Sequence, residues 1–207
     1  MKSIEKFNEV FGNQFGNPRG LLGMYTGEKM VKQHVIETQW TIKLLNIKKD
    51  ETILELGCGA GYAMKLLLEQ PAVSHVVGLD LSKSILRSAT IRNRNEINIG
   101  RARLVLGNVN ELDFQEGYFT NIYSVHSLYF WDNLPKTISD IYRILKPQGT
   151  LVITLSHGKN GEISTGIKDM IEKQVIPIME QNQFKNIEMI EGPNSRGYHI
   201  VSIKGKK

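Results

Sequence analysis

The chain is 207 residues long, 41% hydrophobic and 23% charged, the balance of a globular protein with enough length to bury a full core. No run approaches eighteen consecutive apolar residues, which excludes a membrane-spanning helix, and the alternating "MKSIEKFNEVFGNQF" lacks the apolar centre of a signal peptide, so a cytoplasmic location is expected. Cys58 is the single cysteine and the five histidines are scattered, which excludes an internal disulfide and a multi-cysteine metal site; no metal is expected, and the net charge is +5.

The first 20 residues, with "VFGNQFGNPRG", read as an irregular arm. Met30, Val31, Ile36, Trp40, Ile42 and Leu45 then predict a helix from about Gly27 to Leu45 that lays one face on a core. "NIKKDE" is a turn, "TILEL" a short buried strand, and "YAMKLLLEQ" a helix ended by Pro71. "SHVVGLDL" is a second strand, and Ser82 is a suitable N-cap for the helix "SKSILRSATIRNRN", whose Ile85, Leu86 and Ala89 share a face. "ARLVLGN" and "TNIYSVHS" are the third and fourth strands. "LPKTISDIYRILKP" is an amphipathic helix stopped by Pro147 and Gly149, and "TLVITLS" is a fifth strand. A long helix from about Ile163 to Gln181 follows, then two strands near "NIEMIEG" and "GYHIVSIKG" that face each other across "PNSR" as a hairpin.

Strands alternating with helices from Thr52 to about Gln181 imply an α/β fold, a doubly wound and mostly parallel seven-stranded sheet. The hairpin is expected to supply an antiparallel strand at one edge. Residues 1–207 read as a single domain, with 1–48 an N-terminal arm and helix and 49–207 the core. Between Leu81 and Val105 lie Lys83, Arg87, Arg92, Arg94, Arg101 and Arg103 against the single acid Glu96. Such a run attracts nucleic acid or an anionic substrate, or is simply a solvated helix face; without aromatic residues it offers bases no stacking platform, which disfavours nucleic acid.

The most informative stretch is "ILELGCGAGY", where Gly57, Gly59 and Gly61 alternate after Glu55 at the end of the first strand. Glycine there lets a ligand lie against the main chain, and the helix that follows presents free N–H groups. A dinucleotide fingerprint needs G-x-G-x-x-G, and its last glycine would fall on Tyr62 or Met64, so the nicotinamide reading fails on spacing. Asp80, 19 residues past Gly61 at the end of the second strand, is placed either to accept two hydrogen bonds from ribose hydroxyls or to serve as a strand-end turn residue; the glycine loop before it favours the ribose.

The ordered set "LELGCGAGY", "VVGLDLS", "LVLGNVNEL", "NIYSVHSLYFW" and "RILKPQGTLVI", over about Lys49 to Leu155, resembles the class I S-adenosylmethionine-dependent methyltransferases. It is most similar to the small enzymes of the ubiquinone and menaquinone biosynthesis type. The resemblance implies a Rossmann-like core, S-adenosylmethionine as cofactor and S-adenosylhomocysteine as product. It implies that Glu55 lies near the cofactor's amino-acid end and that Gly57, Cys58, Gly59 and Gly61 pass beneath methionine and ribose. It implies that Asp80 holds the ribose hydroxyls, that Leu81 lies against the adenine, and that Val109 offers it a backbone N–H. Asn108 replaces the family's usual acid and would meet the adenine amino group through its side-chain carbonyl, and His126 would border the methionine end.

Several residues carry two readings. Cys58 is a nucleophile or, as fits a loop needing small residues, a small hydrophobe. His126 is a general base or a cofactor contact, and no other catalytic residue is identified. Tyr129, Phe130 and Trp131 line an aromatic substrate pocket, or at least Phe130 and Trp131 pack a helix on the sheet; Tyr25 is a further substrate-binding candidate, in an arm whose Phe11, Phe15, Leu21, Leu22 and Met24 suit a lid. The expected activity is in-line methyl transfer to an O, N or C atom of a small organic acceptor, by a monomer or homodimer with no membrane partner. A nucleic-acid or protein methyltransferase, and a non-catalytic protein that binds the cofactor, are the alternatives.

Overall fold

The computed structural model describes residues 20–207, with side chains from Gly27 onward. The arm expected over residues 1–19, with Phe11 and Phe15, and the side chains of Leu21, Leu22, Met24 and Tyr25 lie outside the described residues. Two helices, α1 (Gly20–Gln33) and α2 (Val35–Leu44), replace the single helix expected from Gly27. His34 breaks them with φ −110° and ψ 21°, yet hydrogen bonds run through it, from His34 N to Met30 O and from Thr38 N to His34 O, both at 3.0 Å. The chain therefore bends at His34 rather than looping.

Strand β1 (Glu51–Leu56) shows why a short apolar run becomes a central strand. Its side chains alternate: Leu54 and Leu56 enter one apolar cluster, while Ile53 enters the other together with Tyr123. Both faces are covered, as a parallel sheet requires. After β1 come α3 (Tyr62–Leu68), β2 (Val73–Asp80), α4 (Lys83–Arg92), α5 (Arg94–Asn98), β3 (Ala102–Leu106), β4 (Phe119–Val125) and α6 (Leu134–Ile144). Ser82 caps α4 by accepting from Ile85 N, and Asn133 caps α6 by accepting from Lys136 N.

The chain continues through β5 (Leu145–Lys159) and β6 (Glu162–Ile163), then the helical run α7 (Thr165–Met170), a π-helical turn at Ile171–Val175 and α8 (Ile176–Gln181), and ends in β7 (Lys185–Ser195) and β8 (Tyr198–Lys206). The long helix expected before the hairpin is this run; Pro177, which has no N–H to return, sits in the first turn of α8 just after the π turn. The polar "HGKNGEIS" is a β-hairpin, in which Gly158 and Lys159 pair with Ile163 and Glu162.

The sheet order is β3-β2-β1-β4-β5-β8-β7, with β6 attached to β5. The antiparallel strand β8 stands one place in from the edge, between β5 and β7, rather than at the edge itself. Its hairpin also turns two residues later than "PNSR" suggests. Arg196 and Gly197 carry the turn, with φ of 53° and 81°, the left-handed pair that matches strand twist. Pro193 and Asn194 fall at an irregularity in the edge strand β7, where a missing N–H is tolerated. Among the described residues no helix is long and apolar enough to cross a membrane.

Candidate active site

Strand order reverses between β1 and β4, and a crevice opens beyond their C-terminal ends. A cavity of about 190 Å³ occupies it. Its floor is the glycine loop. Gly57 N and Cys58 N both donate to Leu79 O, at 2.8 and 2.9 Å, so the loop folds over the end of β2. Gly57 has φ 77°, and a Cβ there would come within 2.8 Å of the Ser127 side chain. Gly59 also has a left-handed φ of 50°, but a Cβ there would meet nothing within 4 Å. That open face leaves the main chain accessible from the cavity. Gly61 does not line the cavity; it begins α3 against Ala89 and Asn93 of the α4 region.

Asp80 is fixed by main-chain donors. Gly59 N donates to its Oδ2 at 2.9 Å and Ser82 N to its Oδ1 at 2.8 Å. Each oxygen keeps a lone pair, which suits two neighbouring hydroxyls. Burial raises the Asp80 carboxyl above the usual range, against the pull of the Ser82, Gly59 and Leu81 N–H groups.

The alternation of β1 turns Glu55 to the same side as Ile53 and Tyr123, where it is 5% exposed. Its Oε2 makes no hydrogen bond of regular geometry, and the Tyr123 hydroxyl stands beside the carboxyl, near enough to favour its ionised form. Burial first, then the charge of Asp80, pushes the Glu55 carboxyl up to about 8, with Tyr123 opposing. A buried carboxyl on a cavity wall is a receptor for a cationic or N–H-bearing group. Cys58 lies in the same wall with its thiol against Gly78; burial and the charges of Asp80 and Glu55 raise its pKa, so it stays neutral and unreactive.

Leu81, half exposed, Asn108 and Val109 line the cavity at the ends of β2 and β3. The Asn108 side-chain carbonyl accepts from both Asn110 N and Asn110 Nδ2, each at 2.9 Å. Its two lone pairs are thus spent within the turn, and its amide N–H groups are what it has to offer a ligand.

The rest of the lining comes from α1, the start of α2 and the end of β4. Gly27, Met30, Val31, His34 and Thr38 line it together with His126, Ser127, Phe130 and Trp131. Helix α1 packs on α4 and is tied there by Arg92, which donates to the carbonyl of Ala60 in the glycine loop and to Glu28 Oε2 at 2.6 Å. Trp131 is 7% exposed, belongs to the core and lines the cavity as well; its Nε1 donates to Ser127 Oγ at 3.2 Å. Tyr129 stands outside the lining, its hydroxyl donating to Ser156 O at 2.9 Å.

His126 takes φ 56°, uncommon for a residue with a side chain, and its ring lies 4.5 Å from that of His34. Glu37, fully buried on α2, brings Oε1 to 3.9 Å from His126 Nε2 and 3.4 Å from Arg196 Nη2. His34 and Glu37 were not legible as site residues, since the pattern of α2 marks only a packed helix; the signal available was a run of polar residues, Glu37, Thr38 and Thr41, on its buried face. Among the described residues no cluster of histidine, cysteine and acids has the form of a metal site.

A family described as "Methyltransferase domain" matches residues 54–153, the span that carries β1 to β5 and most of the cavity. An uncharacterised methyltransferase of Bacillus subtilis (strain 168), YdaC, is 28% identical over 80% of this chain and 89% of its own length. A demethylmenaquinone methyltransferase of Leptospira interrogans is 32% identical over 61% of this chain, which spans about half (51%) of that relative. The solved structure of geranyl diphosphate C-methyltransferase from Streptomyces coelicolor, in complex with Mg2+, geranyl diphosphate and S-adenosyl-L-homocysteine, has the same fold: the TM-score is 0.67 at 15% identity, over 100% of this chain and 98% of that one. Five motifs in family order, the domain matched over residues 54–153 and these relatives all support one assignment, to the class I S-adenosylmethionine-dependent methyltransferase family.

Proposed function

We infer that the protein moves a methyl group from S-adenosylmethionine to a small organic acceptor held between the end of β4 and helix α1. The observation that carries this reading is the convergence of three features on one cavity: the buried Glu55 carboxyl, the open face of Gly59 and the two held oxygens of Asp80. These fit the cofactor's three polar parts. Glu55 suits its α-ammonium, Asp80 its ribose hydroxyls, and the loop at Gly57, Cys58 and Gly59 the chain between them. Leu81 and Val109 would flank the adenine, with Asn108 turning amide N–H groups toward a ring nitrogen.

When bound, S-adenosylmethionine supplies a methyl group already activated on a cationic sulfur. The protein's part is to align an acceptor atom with that methyl and to exclude water. The wall of Met30, Val31, Phe130 and Trp131 suits an apolar or flat acceptor, and α1, pinned by Arg92, shields it. The basic segment does not favour a nucleic acid: Arg92 is committed to α1 and the loop, and Arg101 to Glu96, Leu68 O and Val73 O. The test is incubation with methyl-labelled S-adenosylmethionine and separate small-molecule, RNA and protein fractions of a cell extract. Label entering the small-molecule fraction supports the assignment; label entering RNA or protein alone moves the acceptor to that class.

A further inference from the structure

His126 follows β4 directly, next to β1 in the sheet, so its ring stands at the cavity beside the loop that begins with Glu55 and Gly57. Its left-handed backbone is held by a 2.8 Å hydrogen bond from His126 N to Thr154 O of β5. A strained backbone held at a cavity is a mark of a positioned side chain. The two ring nitrogens have different surroundings. Nε2 is sealed from solvent, has no hydrogen-bond partner and looks toward Glu37 Oε1 at 3.9 Å. Nδ1 is the other ring nitrogen, on a residue that lines the cavity.

Glu37 behind it is 0% exposed, and its Oε2 lacks a partner. A lone buried carboxylate at that depth is costly, and Arg196, from the β7–β8 turn, approaches only one of its oxygens, at 3.4 Å. Burial opposes its ionisation, but His126, its own backbone N–H, Ser195 and His34 together hold it down to about 2. Glu37 is therefore an anion across the neutral pH range. The other groups of this cluster are His34, whose ring is 4.5 Å from that of His126, and Arg196, which contacts Glu37. Burial, and then the charge of His126, pushes His34 down to about 4, so it stays neutral. Glu55 lines the same cavity. A carboxylate behind an imidazole, with a neutral ring at its side, is the arrangement that stabilises an imidazolium formed during a reaction.

We propose that His126 Nδ1 is the general base for an acceptor whose nucleophile arrives protonated, a hydroxyl on a flat apolar molecule, with Glu37 as the positioning residue that holds the ring and balances its charge. This rests on the methyl-transfer reading above. In the step, the acceptor O–H bond breaks toward Nδ1 and the freed electron pair forms the new O–CH3 bond. The S–CH3 bond breaks with its pair staying on sulfur, and the positive charge lost there reappears on the imidazolium opposite Glu37. No further reactant is needed. The apolar wall of Met30, Val31, Phe130 and Trp131 is the reason for assigning a flat, uncharged acceptor rather than a carboxylate.

The experiment uses the full chain with S-adenosylhomocysteine and 4-nitrophenol, whose absorbance reports its own ionisation. At about one pH unit below the free phenol's midpoint, the bound probe should show several-fold more phenolate than the bulk solution. In Glu37→Gln the phenolate excess should be lost, because the charge that balances the imidazolium is gone. S-adenosylhomocysteine affinity should stay within about threefold, because Glu37 does not line the cavity. The wild-type measurement needs no variant to fold. A probe that fails to bind or stays as protonated as in bulk, or a phenolate excess indifferent to Glu37→Gln, overturns the proposal. If S-adenosylhomocysteine itself does not bind, it is the methyl-transfer reading that falls.

Discussion

The backbone N–H of Gly59 donates to Oδ2 of Asp80 at 2.9 Å, joining the loop after the first strand to the acid that ends the second. One carboxylate thus shapes the floor of the cavity and offers its remaining lone pairs to a ligand. Asp80→Ala should weaken S-adenosylhomocysteine binding by about 100-fold, since two charge-assisted hydrogen bonds are lost together with the loop's anchor. Asp80→Asn, which keeps one acceptor, should lose about tenfold. Calorimetric titration of both variants checks this, with circular dichroism to show that the fold persists.

Gly59 and Gly61 separate ligand space from structural space. A Cβ at Gly61 would lie 2.6 Å from Asn93 Nδ2 and 2.9 Å from Ala89 Cβ, at φ 72°. Gly61→Ala should lower the stability of the protein by about 2 kcal/mol or more. At Gly59 the new methyl meets open space, so Gly59→Ala should cost only about 1 kcal/mol of backbone strain while raising the dissociation constant for S-adenosylhomocysteine at least tenfold. Chemical denaturation and calorimetry, run on both, should show opposite rank orders; the same order in both would contradict the placement of the ligand over Gly59.

Glu55 links pH to both binding and stability. Its folded-state value of about 8, raised first by burial, lies above that of an unfolded chain, so the folded protein holds the extra proton. The stability that goes with this proton is complete below the usual carboxylate range and is lost as pH rises through about 8. Glu55→Gln should therefore stabilise the ligand-free protein at pH 8, by about 1–3 kcal/mol, with less effect at pH 5. A cationic ligand favours the ionised form, so wild-type affinity should rise with pH up to about 8 and level off above it. Titrations at neutral pH in buffers of different ionisation heat should reveal proton release on binding, and Glu55→Gln should release none.

Arg92 holds α1 to the site through the carbonyl of Ala60 and Glu28 Oε2, and its own side chain is only 17% exposed. Arg92→Ala should speed hydrogen exchange in α1 at least tenfold and shorten the residence time of S-adenosylhomocysteine, while the exchange of β1 and β4 stays unchanged. Equal acceleration in the sheet would mean that Arg92 supports the fold as a whole rather than α1 alone.

Legibility in the sequence followed the range of the forces involved. The glycine loop, Asp80 and the Ser82 cap are fixed by main-chain geometry within a few residues, and "ILELGCGAGY" and "VVGLDLS" display it directly. Glu55, Cys58, Leu81, Asn108, Val109, His126 and Trp131 meet at one cavity because strand ends in a parallel sheet converge. His34 and Glu37 reach the site only through the bend between α1 and α2 and the docking of α2 on the sheet, and no local pattern encodes either. The hairpin turn was displaced because "PNSR" has strong turn composition, whereas the register of β8 against both neighbours puts the reversal at Arg196 and Gly197. Asn108 kept its place but not its expected bonding, since Asn110 takes up its carbonyl.

The most direct measurement is calorimetric titration of the full chain with S-adenosylmethionine and S-adenosylhomocysteine, with NADH as the control. Dissociation constants of about micromolar order for the two adenosyl-sulfur ligands, and no heat with NADH, are the expected result. Equal binding of NADH would mean that the cavity recognises only an adenosine, and no binding of either sulfur ligand would remove Glu55, Gly59 and Asp80 from the role assigned to them.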